Sequence, residues 1–190
     1  MAVPRTNRER TETTRLALLE AARGLFVSRG YAETSTPDIC AAAGITRGAL
    51  YHHFVDKRDL FRQVLAREAE AVAARIEAGA APADDARAAL IAGSEAYLDA
   101  MAATGRTRLL LIDGPAVLGL AELAALDEAH AARTLREGLA AALRRDAAQV
   151  DALARLLSAA FDRAALEIDA GTDAGAIREA MRELLTRAIA

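Results

Sequence analysis

The chain reads as all-α, built in two parts: a small three-helix unit at the N-terminus and a larger helical body behind it. Three observations give that class. Apolar residues recur at i, i+3 and i+4 along most of the chain, the period of an amphipathic helix. The breaks between these runs carry a helix stop followed by a helix cap, as at Gly171-Thr172-Asp173. The one strand-like run, Leu109-Leu110-Leu111-Ile112, has no second strand anywhere in the chain to pair with, so a short buried helix over about 106–113, stopped by Gly114-Pro115, is expected there.

In chain order, residues 1–10 are polar, with Pro4 and three arginines, and are expected to form a disordered arm, either inert or able to reach along a groove or a phosphate backbone. Leu16, Leu19, Leu25 and Phe26 then mark a first helix over about 11–28, closed by Arg29-Gly30. The next stretch organises everything else. Thr34 or Ser35 can cap a second helix, since a hydroxyl there accepts a bond from an orphaned backbone N–H. Asp38 places a carboxylate in the positive first turn, and Pro37 is tolerated there. Gly44 stops this helix in a left-handed conformation, and Thr46 caps the next almost at once. Two short helices joined by a tight glycine turn are the helix-turn-helix plan, placed here over residues 11–56.

The third helix has two faces. Leu50 and Phe54, four apart, point inward. Arg47 with Tyr51, and Gly48 with His52, share another face, where a cationic fork, a phenol, an imidazole and a gap for close approach suit base edges and phosphates in a major groove. Asp56 can cap a fourth helix over 57–78, a connector with Leu60, Phe61, Val64, Leu65, Val72 and Ile76 inward. Lys57 on its first turn, beside free N–H groups, makes a phosphate anchor. Gly79 to Asp84 is the clearest break, and Asp84 or Asp85 can cap a fifth helix to about 103. Residues 120–145, 149–170 and 173–189 are expected as three further helices, so 79–190 forms the body.

Charge agrees with that division. The whole chain is net −3, but up to Arg62 ten basic residues outnumber seven acidic ones, net +3, while the remainder is net −6. The first third can approach a polyanion that the rest repels. No run of about 18 apolar residues lacks a charge, which excludes a membrane helix. The polar, arginine-bearing start is not a secretory signal. A lone Cys40 cannot form an internal disulfide and reads as a small buried hydrophobe. A cytoplasmic protein is expected.

Gly30-Tyr31, Thr34-Ser35, Asp38-Ile39, Ala43-Gly44-Ile45-Thr46, Gly48-Ala49-Leu50-Tyr51, His53-Phe54, Lys57 and Leu60-Phe61 resemble the DNA-binding domain of the TetR family of transcriptional regulators, over about residues 10–62. Cys40, where alanine is usual, and Arg58, where an acidic residue is common, depart from the pattern. The resemblance implies a homodimer on double-stranded operator DNA, with Arg47, Gly48, Tyr51 and His52 at bases or nearby phosphates and Thr34, Ser35, Thr46, His53 and Lys57 mainly at the backbone. It carries nothing about an effector.

In the body, Ser94, Tyr97, Met101, Leu109, Ile112, Leu126, His130, Thr134 and Phe161 are the candidates to line a ligand cavity, His130 facing inward on a stripe with Leu123, Leu126 and Thr134. A satisfied core histidine is the alternative role for it. The last two helices carry apolar stripes long enough to need a partner, and small residues such as Ala160 and Ala164 permit close approach. A four-helix seam between two copies follows, through Leu153, Leu157, Phe161, Ala164, Met181, Leu184 and Leu185. No acid–base pair, nucleophile with a base or phosphate loop stands out, His52-His53 diverge by about 100° on a helix and make no metal pair, and neither catalysis, a metal nor a cofactor is expected. The reading is a repressor released from a palindromic operator by a small molecule. The alternatives are an all-helical enzyme or small-molecule binding protein, and a regulator controlled by a protein partner.

Overall fold

The computed structural model describes residues 7–81 and 85–190, and they are helical with no strand among them. Helix α1 (Asn7–Arg29), α2 (Thr36–Ala43) and α3 (Arg47–His53) form the N-terminal head, and α4 (Lys57–Ala80) runs from it into the body. The body holds α5 (Ala86–Met101), α6 (Arg106–Arg108), a wide turn with i→i+5 bonds (Leu109–Asp113), α7 (Gly114–Leu118), α8 (Leu120–Glu128), α9 (Ala131–Ala142), α10 (Ala147–Asp169) and α11 (Ala174–Ala188). The expected run 109–112 is thus helical rather than extended. The arm expected over 1–10 is corrected in part: Asn7 to Arg10 belong to α1, and residues 1–6 lie outside the described residues.

Caps read from the sequence set the helix starts. The Ser35 hydroxyl accepts from Asp38 N–H while the Asp38 carboxylate accepts from Ser35 N–H, a reciprocal capping box. Thr46 caps α3 through Ala49 N–H, Asp56 caps α4 through Asp59 N–H at 2.7 Å, and Asp85 caps α5 through Ala88 N–H at 2.8 Å. Asp146 and Asp173 do the same for α10 and α11. The break after α4 is cut by Pro82 to Asp84, which lie outside the described residues.

The head closes on an aromatic cluster. Phe26 of α1 meets Phe61 of α4 edge-on, centroids 5.0 Å apart, and Tyr31 packs 5.0 Å from Phe61. Leu18, Leu19, Ile39, Leu50 and Phe54 are buried around it, with Cys40 a buried hydrophobe as expected. In the body α4 packs lengthwise on α5. Head and body are joined by one ion triad: Glu68 of α4, 6 % exposed, accepts from Arg23 of α1 at 2.8 Å and from Arg106 of α6 at 2.8 Å. Burial alone raises the Glu68 pKa, but the two arginine bonds outweigh it and hold the carboxyl below its usual range.

Two expected elements differ. Gly114-Pro115 does not stop the short helix. The wide turn before it sends the Gly114 N–H back to Leu109, five residues away, and Pro115 sits in the first turn of α7, where its missing N–H is not needed. The chain stays helical to Leu118 and turns at Gly119, whose φ of +84° only glycine adopts without strain. The long helix expected over 120–145 is two helices, parted at His130, whose backbone leaves the helical region at φ −130°, ψ −106°. The Ala132 N–H at the start of α9 acts on the Asp127 carboxylate and lowers its pKa against the larger rise from burial.

The expected dimer seam is also corrected. Leu157, Phe161, Ala164, Met181 and Leu185 are buried inside the protomer itself, because these faces of α10 and α11 pack on each other and on α5. Leu153 is half-buried. Of that set only Leu184 stays exposed, at 46 %, and Leu156 on α10 is exposed at 72 %.

Candidate nucleic-acid interface and body cavity

Gly44, at φ +66°, ends α2 and lets Ile45 N–H reach back to the Cys40 carbonyl at 2.9 Å. Ile45 packs against the head core, and Thr46 restarts the helix two residues after the stop. The result fixes α3 with Leu50 inward and Arg47, Gly48, Tyr51 and His52 all exposed on its outer side. A side chain added at Gly48 would meet nothing within 4 Å, so the gap there is open space above the helix. The Tyr51 hydroxyl lies 3.4 Å from the Thr36 hydroxyl of α2, and this contact, aided by Arg47, lowers its pKa. His53 is half-buried with its ring 5.4 Å from that of His52, and burial first, then His52 and Arg15, lower its pKa. It is therefore a neutral hydrogen-bond donor at pH 7 rather than a cation.

Two residues expected at the phosphate backbone have other engagements. Thr34 is 1 % exposed; its hydroxyl donates to the Gly30 carbonyl at 2.8 Å, so its side chain is a strut of the α1–α2 turn and cannot meet a phosphate. The Lys57 ammonium donates to the carbonyls of Tyr31 at 2.9 Å and Thr34 at 3.0 Å and stands 4.1 Å over the Tyr31 ring. Two of its three N–H bonds thus tie α4 to that turn, and one remains for an outside anion. Ser35 and Thr46 are exposed caps at adjoining helix starts.

The body holds two adjoining cavities. The first, of about 250 Å³, lies among α4, α5, α9 and α10 and is lined by Ser94, Tyr97, Thr134 and Phe161 of the expected set, together with Ile76, Leu90, Leu135, Asp127, Ser158 and Asp162. The second, of about 230 Å³, reaches Met101 and Leu126 of that set, with Val72, Leu110, Leu120 and Leu123. Tyr97, Asp127, Ala131 and Asp162 line both. Three expected lining residues are corrected: Leu109 is wholly buried in the core, Ile112 is 51 % exposed on the wide turn, and His130, at the break between α8 and α9, lines neither of these cavities.

The polar groups at the waist were missed in the sequence. The Tyr97 hydroxyl donates to Asp162 at 2.7 Å. Burial pushes the Asp162 carboxyl up to about 6, the Tyr97 bond pulling it back and the nearby Asp127 adding to the rise. Burial also raises Asp127, against the bonds from Ala132 N–H and Ser158 and the influence of His130. A signal was available: Ser158 and Asp162 are four apart on α10, a polar line beside the Leu157–Phe161 stripe. At the outer edge, Glu77 and Glu137 share one cation, Arg133, at 2.9 and 3.1 Å.

The start of α4 is tied to the segment beside the second cavity. Arg58, next to Lys57, donates to the carbonyls of Val117 at 3.4 Å and Leu118 at 3.1 Å and to Glu122 at 2.6 Å. Glu122 lies between the cavity-lining Leu120 and Leu123.

Comparisons with known proteins bear on both parts. Residues 18–64 match the profile of bacterial regulatory proteins of the tetR family, and residues 87–190 match that of a tetracyclin repressor-like C-terminal domain. A transcriptional repressor from Brucella suis biovar 1 (strain 1330), BepR, is 44 % identical over 63 residues, which are 33 % of this chain and 30 % of the relative. The match therefore spans less than a third of that relative. Over nearly full length, the crystal structure of a TetR-family transcriptional regulator from Pectobacterium atrosepticum is 32 % identical, covers 96 % of this chain and 94 % of its own, and superposes with a TM-score of 0.73. The structure of the TetR-like regulator LfrR from Mycobacterium smegmatis, in complex with proflavine, is 26 % identical over 92 % of this chain and 95 % of its own, TM-score 0.63.

Proposed function

Since the chain belongs to the TetR family of bacterial transcriptional regulators, we propose that it acts as a dimeric repressor that leaves an inverted-repeat operator when a small molecule enters the body cavity. The observation that carries this reading is the outer face of α3: Arg47, Tyr51 and His52 are exposed together on a helix whose start, stop and inner face are all fixed by the rest of the head. Arg47 pairs with a base edge, Tyr51 and His52 with bases or phosphates, and Gly48 gives the backbone close approach. Thr46 and Ser35, and His53 as a neutral donor, meet the phosphates. Lys57 adds its one remaining N–H to them while holding the head together.

Residues 11–56 form the reading head in this scheme, 57–78 the connector and 79–190 the sensing and dimerising body, working in the cytoplasm. No described helix is long and apolar enough to cross a membrane. Two copies pair through the outer faces of α10 and α11, with Leu156 and Leu184 central and Leu153 at the edge, since large apolar side chains standing free in water seek cover. A ligand that fills the second cavity shifts α7 and α8, and Arg58 carries the shift to the start of α4. The proflavine complex of LfrR supports a small molecule as the effector.

Selection of random duplex DNA by the purified protein tests the reading. Enrichment of an inverted repeat with half-sites presenting successive major grooves, about 34–36 Å apart or a multiple of that, is expected. Enrichment of no sequence, or of a single half-site, overturns it.

A further inference from the structure

We infer that the waist between the two body cavities seats an organic cation, an amine carrying apolar groups on both sides of its charge. The inference rests on the ligand-responsive reading above and names the chemistry of its ligand. The two cavities form one container with a polar middle. Ile76, Leu90 and Leu135 wall the first lobe, and Val72, Leu110 and Leu123 the second. An apolar cavity of about 150 Å³ is enough to admit benzene, so lobes of about 250 and 230 Å³ each accept a ring-sized arm.

Between the lobes stand Asp127 and Asp162, and among the described residues no arginine or lysine pairs with either. The contrast with the outer edge is direct, because there Glu77 and Glu137 have Arg133 between them. Two carboxylates in a largely apolar container with no arginine or lysine beside them are unfavourable when ionised. An anionic ligand adds a third negative charge, and a neutral one supplies none. A cation supplies the missing partner where the low dielectric makes the pairing strongest. The Tyr97 and Phe161 rings, 5.7 Å apart and inclined at 66°, line the same space and offer π faces to that charge. The Tyr97–Asp162 bond closes the waist, so a ligand reaching both lobes replaces the phenol as the partner of Asp162.

Protonation competes with such a ligand. Asp162 on α10 faces Tyr97 on α5 and Asp127 on α8, and His130 at the α8–α9 break acts on Asp127. With its pKa near 6, Asp162 is neutral in the empty site at lower pH and ionised above it. A permanent cation therefore binds more tightly as pH rises from about 5 to about 7.5.

The test is calorimetric titration of the full-length protein with compounds of one frame: dibenzylamine, 1,3-diphenylpropan-2-ol, dibenzylacetate and the permanent cation dibenzyldimethylammonium, with operator binding measured alongside. The two cations bind and the alcohol and the carboxylate bind far more weakly. Asp162→Asn, which keeps an acceptor for the Tyr97 hydroxyl, weakens cation binding by about thirtyfold or more and leaves the alcohol within a few-fold. Asp127→Asn is the second variant. If neither folds, the pH dependence of dibenzyldimethylammonium binding to the unmodified protein decides, and a flat profile overturns the inference. Equal binding of the alcohol or the carboxylate, failure of both cations to bind, or cation affinity unchanged in Asp162→Asn also overturns it. If the alcohol binds as well and releases operator as well, the cation inference falls and the ligand-responsive reading stands. If the cations bind through Asp162 and operator affinity does not change, the reverse holds.

Discussion

The head and the middle of the body are built from the same kind of helix and are stabilised in opposite ways. In the head α2, α3 and α4 each start on a side-chain cap, the turn has its glycine, and the polar residues that face inward, Thr34 and Lys57, bond to backbone carbonyls. From Arg106 to Ala142 the chain has a wide turn, a break without glycine or proline at His130 and uncapped starts at α6, α7 and α8, and with α4, α5 and α10 it lines two cavities that hold two carboxylates, Asp127 and Asp162, lacking a cation. A surface that must match DNA in register needs one conformation; a sensor needs two of similar free energy. The difference teaches where this molecule can afford to move.

The joint between the regions is the first place to break it. Glu68→Ala strands two arginines that are largely withdrawn from water, Arg106 at 14 % and Arg23 at 26 % side-chain exposure, and is expected to cost about 3–5 kcal/mol in urea unfolding. Loss of under about 1 kcal/mol would mean that the triad contributes no more than a surface ion pair. Because the Glu68 pKa is depressed, its contribution is present at neutral pH and fades as pH falls through the acidic range.

Next in size is a pair of neighbours. Leu157→Glu places a charge in the protomer core and should prevent folding, while Leu156→Glu, on the exposed side, should leave the melting temperature of the protomer near its original value and abolish the dimer in light scattering. Dimers persisting in Leu156→Glu would move the interface elsewhere. Arg47→Ala should lose roughly 1–3 kcal/mol of operator affinity and relax one position per half-site, with stability unchanged. Lys57→Ala should differ by losing stability as well, about 1–2 kcal/mol, since it removes two charge-assisted bonds inside the head. Equal melting temperatures for the two variants would return Lys57 to a purely DNA-facing role.

The smallest effect lies at the waist. An acid whose pKa is raised on folding disfavours the folded state once it ionises. Asp162→Asn is therefore expected to raise stability by about 1–2 kcal/mol at pH 7.5 and by little at about pH 3, read from thermal melts at both values. A gain that is the same at both would remove the ionised carboxylate as its cause.

The sequence was most legible where structure is made locally. Ser35, Thr46, Asp56 and Asp85 are caps in fact as in expectation, and Gly44 turns where a left-handed residue was needed. It was least legible where alanine fills both faces of a helix. On α10 the runs through Leu153 and Leu157 and through Leu156 and Ala159 look alike in sequence, and only packing against α5 and α11 decides which is core. The break at His130 was hidden for another reason: no glycine or proline marks it. Asp162 was passed over because one acidic residue on a long helix ordinarily points to solvent.

The position of Glu68 has a mechanical meaning. It lies eleven residues from Lys57 and twelve from Ala80, so at about 1.5 Å per residue the helix extends some 17 Å to the head side and 18 Å to the cavity side. Pinned there by two arginines, α4 is a seesaw with equal arms. If α4 tilts as a rigid rod about that point, its equal arms make a displacement at the reading end match one at the cavity end in size and oppose it in direction. On the ligand-responsive proposal, an effector that acts by tilting α4 must push it as far as the head has to travel, whereas one that acts through α7, α8 and Arg58 bypasses that pivot.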